Sequence, residues 1–231
     1  MTLVTIFSCK NEVEIKFIEE NIETSKAADI SINFPKAEGD KAVSELINSV
    51  IQNYIVSQTN LTDDSLNNVS IDEAVKRFNT EFKTFKNDFP ESSQKWEAFI
   101  DGEVTYRSPE VICIAVNSYL DTGGAHGNTH IKFFNFNPQT GQLYSKAEII
   151  NDIQGLSGVI TNKLKEEVKS NSDEPMEEFF FGKDFQLPES LGFSDEGLIV
   201  LYNPYEIASY SQGIMEFTIP FEDINSYFNI N

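Results

Sequence analysis

The chain has 231 residues, and 17 Lys plus Arg against 37 Asp plus Glu give it a formal charge of −20. So acidic a chain repels phosphate and anionic lipid, which excludes general nucleic-acid binding and charge-driven membrane docking, and its long-range field favours a cationic protein or peptide as partner. With 40% hydrophobic residues and 19 Phe it can fill a sizeable core, and no apolar stretch approaches the roughly 18–20 residues that span a bilayer.

The first segment, Leu3-Val4-Thr5-Ile6-Phe7-Ser8-Cys9, is an apolar run closed by a small residue and a cysteine, then the polar Lys10-Asn11-Glu12. It resembles the end of a bacterial lipoprotein signal, with Cys9 as the acylated residue and residues 1–11 as remnant of signal and anchor. Eight residues before Cys9 are fewer than the 15–30 of a full signal, so either the true start lies upstream of Met1 or this is an ordinary short apolar N-terminus whose cysteine has no role. The expectation is a lipid-anchored protein on the periplasmic or surface side of a cell envelope, touching membrane only through that anchor. The other cysteine, Cys113, lies in the apolar run Val111–Val116 and reads as a buried, inert thiol.

Alternation of apolar and polar residues at 13–17 and 30–34 predicts two half-buried strands. Asp40 caps a predicted helix of about 18 residues with Val43, Leu46, Ile47, Val50, Ile51, Tyr54 and Ile55 on one face. Residues 57–68 read as a polar loop whose Asp63, Asp64, Asn67 and Asn68 lack calcium-loop spacing. Ser70-Ile71-Asp72-Glu73 is a capping-box sequence opening a second helix with Val75, Phe78, Phe82 and Phe85 inward. From Trp96 the period becomes two, giving strands near 95–107, 109–120, 129–137 and 142–144, the last pair joined by an Asn137–Gly141 turn. A third helix carries Ile153, Leu156, Val159, Ile160, Leu164 and Val168. Strands near 191–194, 197–202 and 213–219 and a short closing helix at 221–228 complete an α+β pattern, with mainly antiparallel sheets, packed helices and two closely associated lobes.

Residues 121–128, Asp-Thr-Gly-Gly-Ala-His-Gly-Asn, Phe134-Asn135-Phe136-Asn137, Tyr202-Asn203-Pro204-Tyr205-Glu206-Ile207-Ala208 with Tyr210 and Gly213, and Ile219-Pro220-Phe221 together resemble the RsiV-like extracytoplasmic domain. That domain forms the outer part of an anti-sigma factor and an accessory region of the peptidoglycan deacetylase PdaC. The stretch before residue 120, with Ile32-Asn33-Phe34-Pro35 leading into the first helix, is similar to the companion domain that precedes it. The resemblance divides the chain into 12–118 and 119–231. It implies an envelope-located binding domain whose best understood relative recognises lysozyme, a basic protein. The sigma-binding segment and the deacetylase domain have no counterpart here, so neither activity is implied.

Two histidines, His126 and His130, carry all the histidine chemistry available. Four apart in a Gly-rich loop running into a strand, they point the same way only if both are extended. Three readings remain open: a metal pair completed by Asp121, a loop tied together by imidazole hydrogen bonds, and a ligand-contacting loop opened by Gly123 and Gly124. No Gly-x-Ser-x-Gly elbow is present, and pairing any two of 37 acids into a glycosidase dyad is arbitrary. Tyr202, Tyr205 and Tyr210 suit either a stacking surface for glycan or a packed corner with satisfied hydroxyls. Phe179-Phe180-Phe181 cannot all face inward from a helix, so either one is exposed as a protein-contacting anchor or the helix is covered on both sides.

The leading expectation is a non-enzymatic binding lipoprotein without cofactor or metal. Its ligand is a basic, lysozyme-like protein or a peptidoglycan fragment, met by Asp121, Gly123, Gly124, His126, His130, Tyr202, Tyr205 and Tyr210. The alternative is an envelope hydrolase acting on glycan or peptide through the His126 loop.

Overall fold

A computed structural model describes residues 13–61, 69–171 and 176–230. Cys9, and with it the lipid-anchor expectation, lies outside the described residues, as do Asp63, Asp64, Asn67 and Asn68. Strands β1 (Ile15–Thr24) and β2 (Asp29–Gly39) form an antiparallel hairpin, followed by helices α1 (Lys41–Gln58) and α2 (Ile71–Asp88). Then come β3 (Glu97–Arg107), β4 (Ile112–Asp121) and β5 (Asn128–Phe136). They build a five-stranded sheet in the order β1-β2-β3-β4-β5, and the two helices cross one face of it. Because the β2–β3 connection runs through both helices, those two strands pair in parallel, Asp29 beside Glu97. The other three pairings are antiparallel.

Short helix α3 (Lys146–Ile149), long helix α4 (Ile153–Asn171), a second sheet of β6 (Leu191–Ser194), β7 (Gly197–Tyr202) and β8 (Met215–Pro220), and α5 (Phe221–Ile224) make up the C-terminal part. The small sheet is antiparallel in the order β6-β7-β8, and β6 lies against β3, β4 and β5. The architecture is α+β, with a five-stranded and a three-stranded sheet.

Alternation along β4 decides where the layers go. Ile112, Ile114 and Val116 face the α1/α2 side, joining Ile47, Ile51, Ile55, Phe78 and Phe82. Cys113 and Ala115 face the other side, joining Phe133, Phe193, Leu198, Val200 and the α4 residues Leu156, Ile160, Leu164 and Val168. Burying each such aliphatic side chain is worth about 1.5–3 kcal/mol, so β4, apolar on both faces, is the wall shared by the two cores. Residue 118, the end of the N-terminal lobe inferred from the resemblance, falls within β4. Cys113 is fully buried, its sulfur accepts the Phe193 N–H at 3.3 Å, and burial pushes its thiol up to about 11.

Helix α1 begins where the Asp40 carboxylate accepts the N–H groups of Ala42 (3.0 Å) and Val43 (3.1 Å). Leu46, expected on its buried face, is 46% exposed, and Ser44 takes a buried place instead. Similarly, Ile153 at the start of α4 is exposed. At α2 only half of the expected capping box forms: Ser70 Oγ accepts Glu73 N–H, while the Glu73 carboxylate turns to Arg77 at 2.7 Å. The complete box sits at Ser145/Glu148 and opens α3, an element absent from the sequence reading. The expected strand at 142–144 reduces to a single bridge between Phe136 and Leu143.

Candidate functional site

Beyond β4 the chain makes the loop 122–127. Asp121 Oδ1 accepts the Gly123 N–H at 2.9 Å, and Gly123 and Gly124 take φ of +100° and +123°, so the turn that the glycines suggested is closed by the aspartate and Asp121 serves the loop's backbone. His126 is exposed. Its Nδ1 lies 2.8 Å from the Gly127 carbonyl; a carbonyl only accepts, so Nδ1 carries the proton. Its ring stacks on Tyr210, centroids 3.7 Å apart and 14° between planes, and Tyr210 Oη donates to the same Gly127 carbonyl at 3.0 Å. Gly127 is buried: a β-carbon there would stand 2.4 Å from the Tyr119 ring and hydroxyl. Partial burial, with Asp121 and Glu97 nearby, raises the Tyr119 phenol above its ordinary value.

Tyr210 also meets Tyr205, centroids 5.6 Å apart, while Tyr119 stacks on Phe99 at 6.0 Å and 11°. Five rings, Phe99, Tyr119, His126, Tyr210 and Tyr205, thus form a ridge running from the outer face of the five-stranded sheet to the segment after β7. Tyr205 and Phe99 are open, at 56% and 41% exposure, and His126 is exposed as well.

The segment Asn203–Glu206 explains how Tyr205 is held outward. Buried Asn203 accepts the Ile131 N–H at 2.7 Å and donates to the Ile131 carbonyl at 2.9 Å, closing the free edge of β5 with a side chain. One oxygen of Glu206 accepts the Asn203 N–H at 2.8 Å and the other the Glu189 N–H at 2.5 Å. Between them Pro204 and Tyr205 form a turn closed by Glu206 N–H to Asn203 C=O at 3.0 Å, with φ of +67° at Tyr205. Pro at the second position and positive φ at the third are marks of a type II turn, whose third position ordinarily belongs to glycine. A tyrosine there carries strain of about 1–2 kcal/mol.

The structure separates the remaining expected site residues. His130 faces the opposite side of the sheet from the ridge. There its Nδ1 lies 3.0 Å from Tyr54 Oη and its Nε2 2.9 Å from Glu189, so the metal pair with His126 and Asp121 does not assemble. Among the described residues no three of His, Cys, Asp and Glu are grouped to hold a metal ion. Glu189 also receives Lys132 at 2.5 Å; burial pushes its carboxyl up, but hydrogen bonds from Lys132 and His130 outweigh that and hold it below the usual range. Tyr54, raised mainly by burial to about 12, stays protonated at neutral pH and donates to the imidazole, so this chain of groups ties α1, β5 and the loop before β6 together. Tyr202, expected at the ligand surface, is 1% exposed and donates to the Gln186 carbonyl at 2.9 Å. Of the three consecutive phenylalanines, Phe179 and Phe180 are buried and Phe181 is exposed. The φ values at Phe180 and Phe181, +59° and +54°, reverse the chain so that the run never behaves as a helix face.

Residues 20–129 match the family described as deacetylase PdaC, and residues 146–222 match a protein family of unknown function, DUF3298. The chain therefore carries a PdaC-like segment followed by a DUF3298-like one. No curated protein matches it. Among solved structures it is similar to a DUF3298 family protein from Pseudomonas aeruginosa PAO1, with TM-score 0.61 and 16% identity over 94% of both chains. It is likewise similar to a DUF3298 family member from Bacteroides fragilis NCTC 9343, with TM-score 0.67 and 20% identity over 94% of both chains. At these identities the likeness is one of fold.

Proposed function

We propose that this protein is a non-enzymatic binding module of the bacterial cell envelope whose ligand is a basic protein of the lysozyme type. The observation that carries the reading is the aromatic ridge ending in Tyr205, a large ring held outward at 56% exposure in a conformation that costs free energy. Tyrosines presented on a rigid frame are the side chains that dominate protein–protein binding energy, and a charge of −20 attracts a basic partner. The RsiV-like resemblance points to the same class of ligand. Attachment through Cys9 belongs to this proposal: it rests on the apolar run 3–7, and no helix among the described residues is long and apolar enough to cross a membrane.

The hydrolase alternative through the His126 loop draws less support. The His126 Nδ1–H bond to the Gly127 carbonyl leaves Nε2 as the free basic nitrogen, but among the described residues no hydroxyl or thiol is hydrogen-bonded to that nitrogen as a nucleophile for it to activate.

The test immobilises the protein and measures binding of a basic lysozyme and of soluble peptidoglycan fragments at low salt and at roughly 0.15 M, where the Debye length is about 8 Å. Saturable lysozyme binding that survives the higher salt is the expected result. Binding that vanishes with salt reduces lysozyme to a counter-charge, and retention of glycan alone overturns the protein ligand in favour of sugar stacking on the ridge.

A further inference from the structure

The three-stranded sheet covers only part of the large sheet's outer face. Strand register places Glu23, Ser31, Phe99, Tyr119 and Thr129 in one row across that face, and Asn21, Asn33, Asp101, Asn117 and Ile131 in the next. These two rows hold no Lys or Arg, although Lys26 borders the first beside Glu23, Ser31 and Phe99, whereas the opposite face is packed under α1 and α2. Where the small sheet begins, a cleft of about 210 Å³ opens between the two sheets. Asp101, Glu103 and Glu216 stand at its mouth, and Ile131, Ile199 and Leu201 line its wall. All three carboxylates are exposed, and no Lys or Arg among the described residues pairs with them. At the other end of the same face, the Phe99–Tyr119 stack continues into the ridge through Gly127.

Resting on the binding reading above, we propose that this open sheet face is the docking surface for a Lys- or Arg-bearing segment of the basic partner, with one such side chain seated in the cleft between the sheets. An apolar wall under a rim of carboxylates matches a side chain with a methylene stem and a cationic head. A planar guanidinium with five donors can serve several carboxylates at once, which makes Arg the better fit. The adjoining rings give the segment its apolar contacts, so charge selects the partner and the ridge holds it.

The experiment compares two triple variants of equal charge change in the full chain. One is Asp101→Asn/Glu103→Gln/Glu216→Gln; the other, Glu45→Gln/Asp88→Asn/Glu91→Gln, removes exposed carboxylates from α1, the end of α2 and the turn after it. Each is titrated with a basic lysozyme and with a hexa-arginine peptide at roughly 0.15 M salt, after circular dichroism has matched its fold to the parent. The cleft variant is expected to weaken both ligands by tenfold or more and the helix-side variant by less than threefold. Equal weakening by the two variants, or parent-like binding by the cleft variant, overturns the docking surface. Hexa-arginine binding that the cleft variant alone abolishes, with no lysozyme bound by the parent, keeps the docking surface and overturns the lysozyme-type reading. If the parent binds neither ligand, both fail.

Discussion

Replacing Tyr205 by glycine separates strain from packing at the tip of the ridge. The left-handed backbone at Tyr205 (φ +67°) costs a residue with a β-carbon about 1–2 kcal/mol, a cost that glycine does not bear. Against that relief stand the added freedom of the unfolded chain, about 0.4–1 kcal/mol, and the lost contact with Tyr210, about 0.5–1.5 kcal/mol for a well-formed aromatic pair and less for a ring 56% exposed. The terms nearly cancel, so Tyr205→Gly should unfold within about 1 kcal/mol of the parent. Tyr205→Ala loses the same ring but keeps the β-carbon and the strain, and should be less stable than the glycine variant by about 1 kcal/mol, which for a chain of this size is a Tm difference of about 2–4 °C. Both should lose lysozyme binding by tenfold or more. Urea unfolding followed by circular dichroism measures the first comparison and surface binding the second. An alanine variant more stable than the glycine variant would refute the strain argument, and unchanged binding in both would remove Tyr205 from the site.

Three further outcomes follow from neighbouring geometry. Gly127→Ala places a methyl 2.4 Å from the Tyr119 ring and should destabilise by about 1–3 kcal/mol, whereas in a Tyr119→Ala background the same change should cost much less, a coupling read by a double-mutant unfolding cycle. Glu189 has a folded pKa below its ordinary 4.5, so its contribution is present above that value and is lost as pH falls through the folded pKa. In Glu189→Gln the loss of stability on acidification below about pH 4.5 should therefore be shallower than in the parent, and parallel curves would count against the Lys132–His130 pairing. With its thiol pushed up to about 11 and fully buried, Cys113 in a Cys9→Ser variant should stay unreactive toward a thiol reagent at pH 8 until urea unfolds the chain.

Local chemistry in the sequence marked the α1 start at Asp40, the α2 start at Ser70, the β6–β7 hairpin and the glycine-turned loop at 122–127, because each is decided by residues within a few positions of one another. Apart from the local capping box at Ser145/Glu148, what escaped is decided across distance. Parallel pairing of β2 with β3 depends on a crossover through two helices, and no residue of either strand signals it. His126 and His130 part because Asn128 begins β5: His130 is in the strand, His126 in the loop before it, and a spacing of four carries no meaning across that junction. Tyr54 and Glu189 reach His130 from 76 and 59 residues away, with no motif connecting them.

The Tyr202–Ile207 segment illustrates the limit most clearly. Tyr202 and Tyr205 looked equivalent as candidates, yet Tyr202 fills the core, while around them Asn203 stands in for a sixth strand beside Ile131, Glu206 holds two backbone N–H groups, and Ile207 accepts the Phe180 N–H. Only Tyr205 is left to face outward, in the one backbone conformation of the segment that a glycine would suit better. Residues that make such a frame and the residue that it presents have similar composition, so sequence alone cannot sort them. The burial of Tyr202, Asn203 and Ile207, the backbone bonds of Glu206 and the exposure of Tyr205 can, and that contrast is why the site is assigned to Tyr205 and its stacked neighbours and not to the motif as a whole.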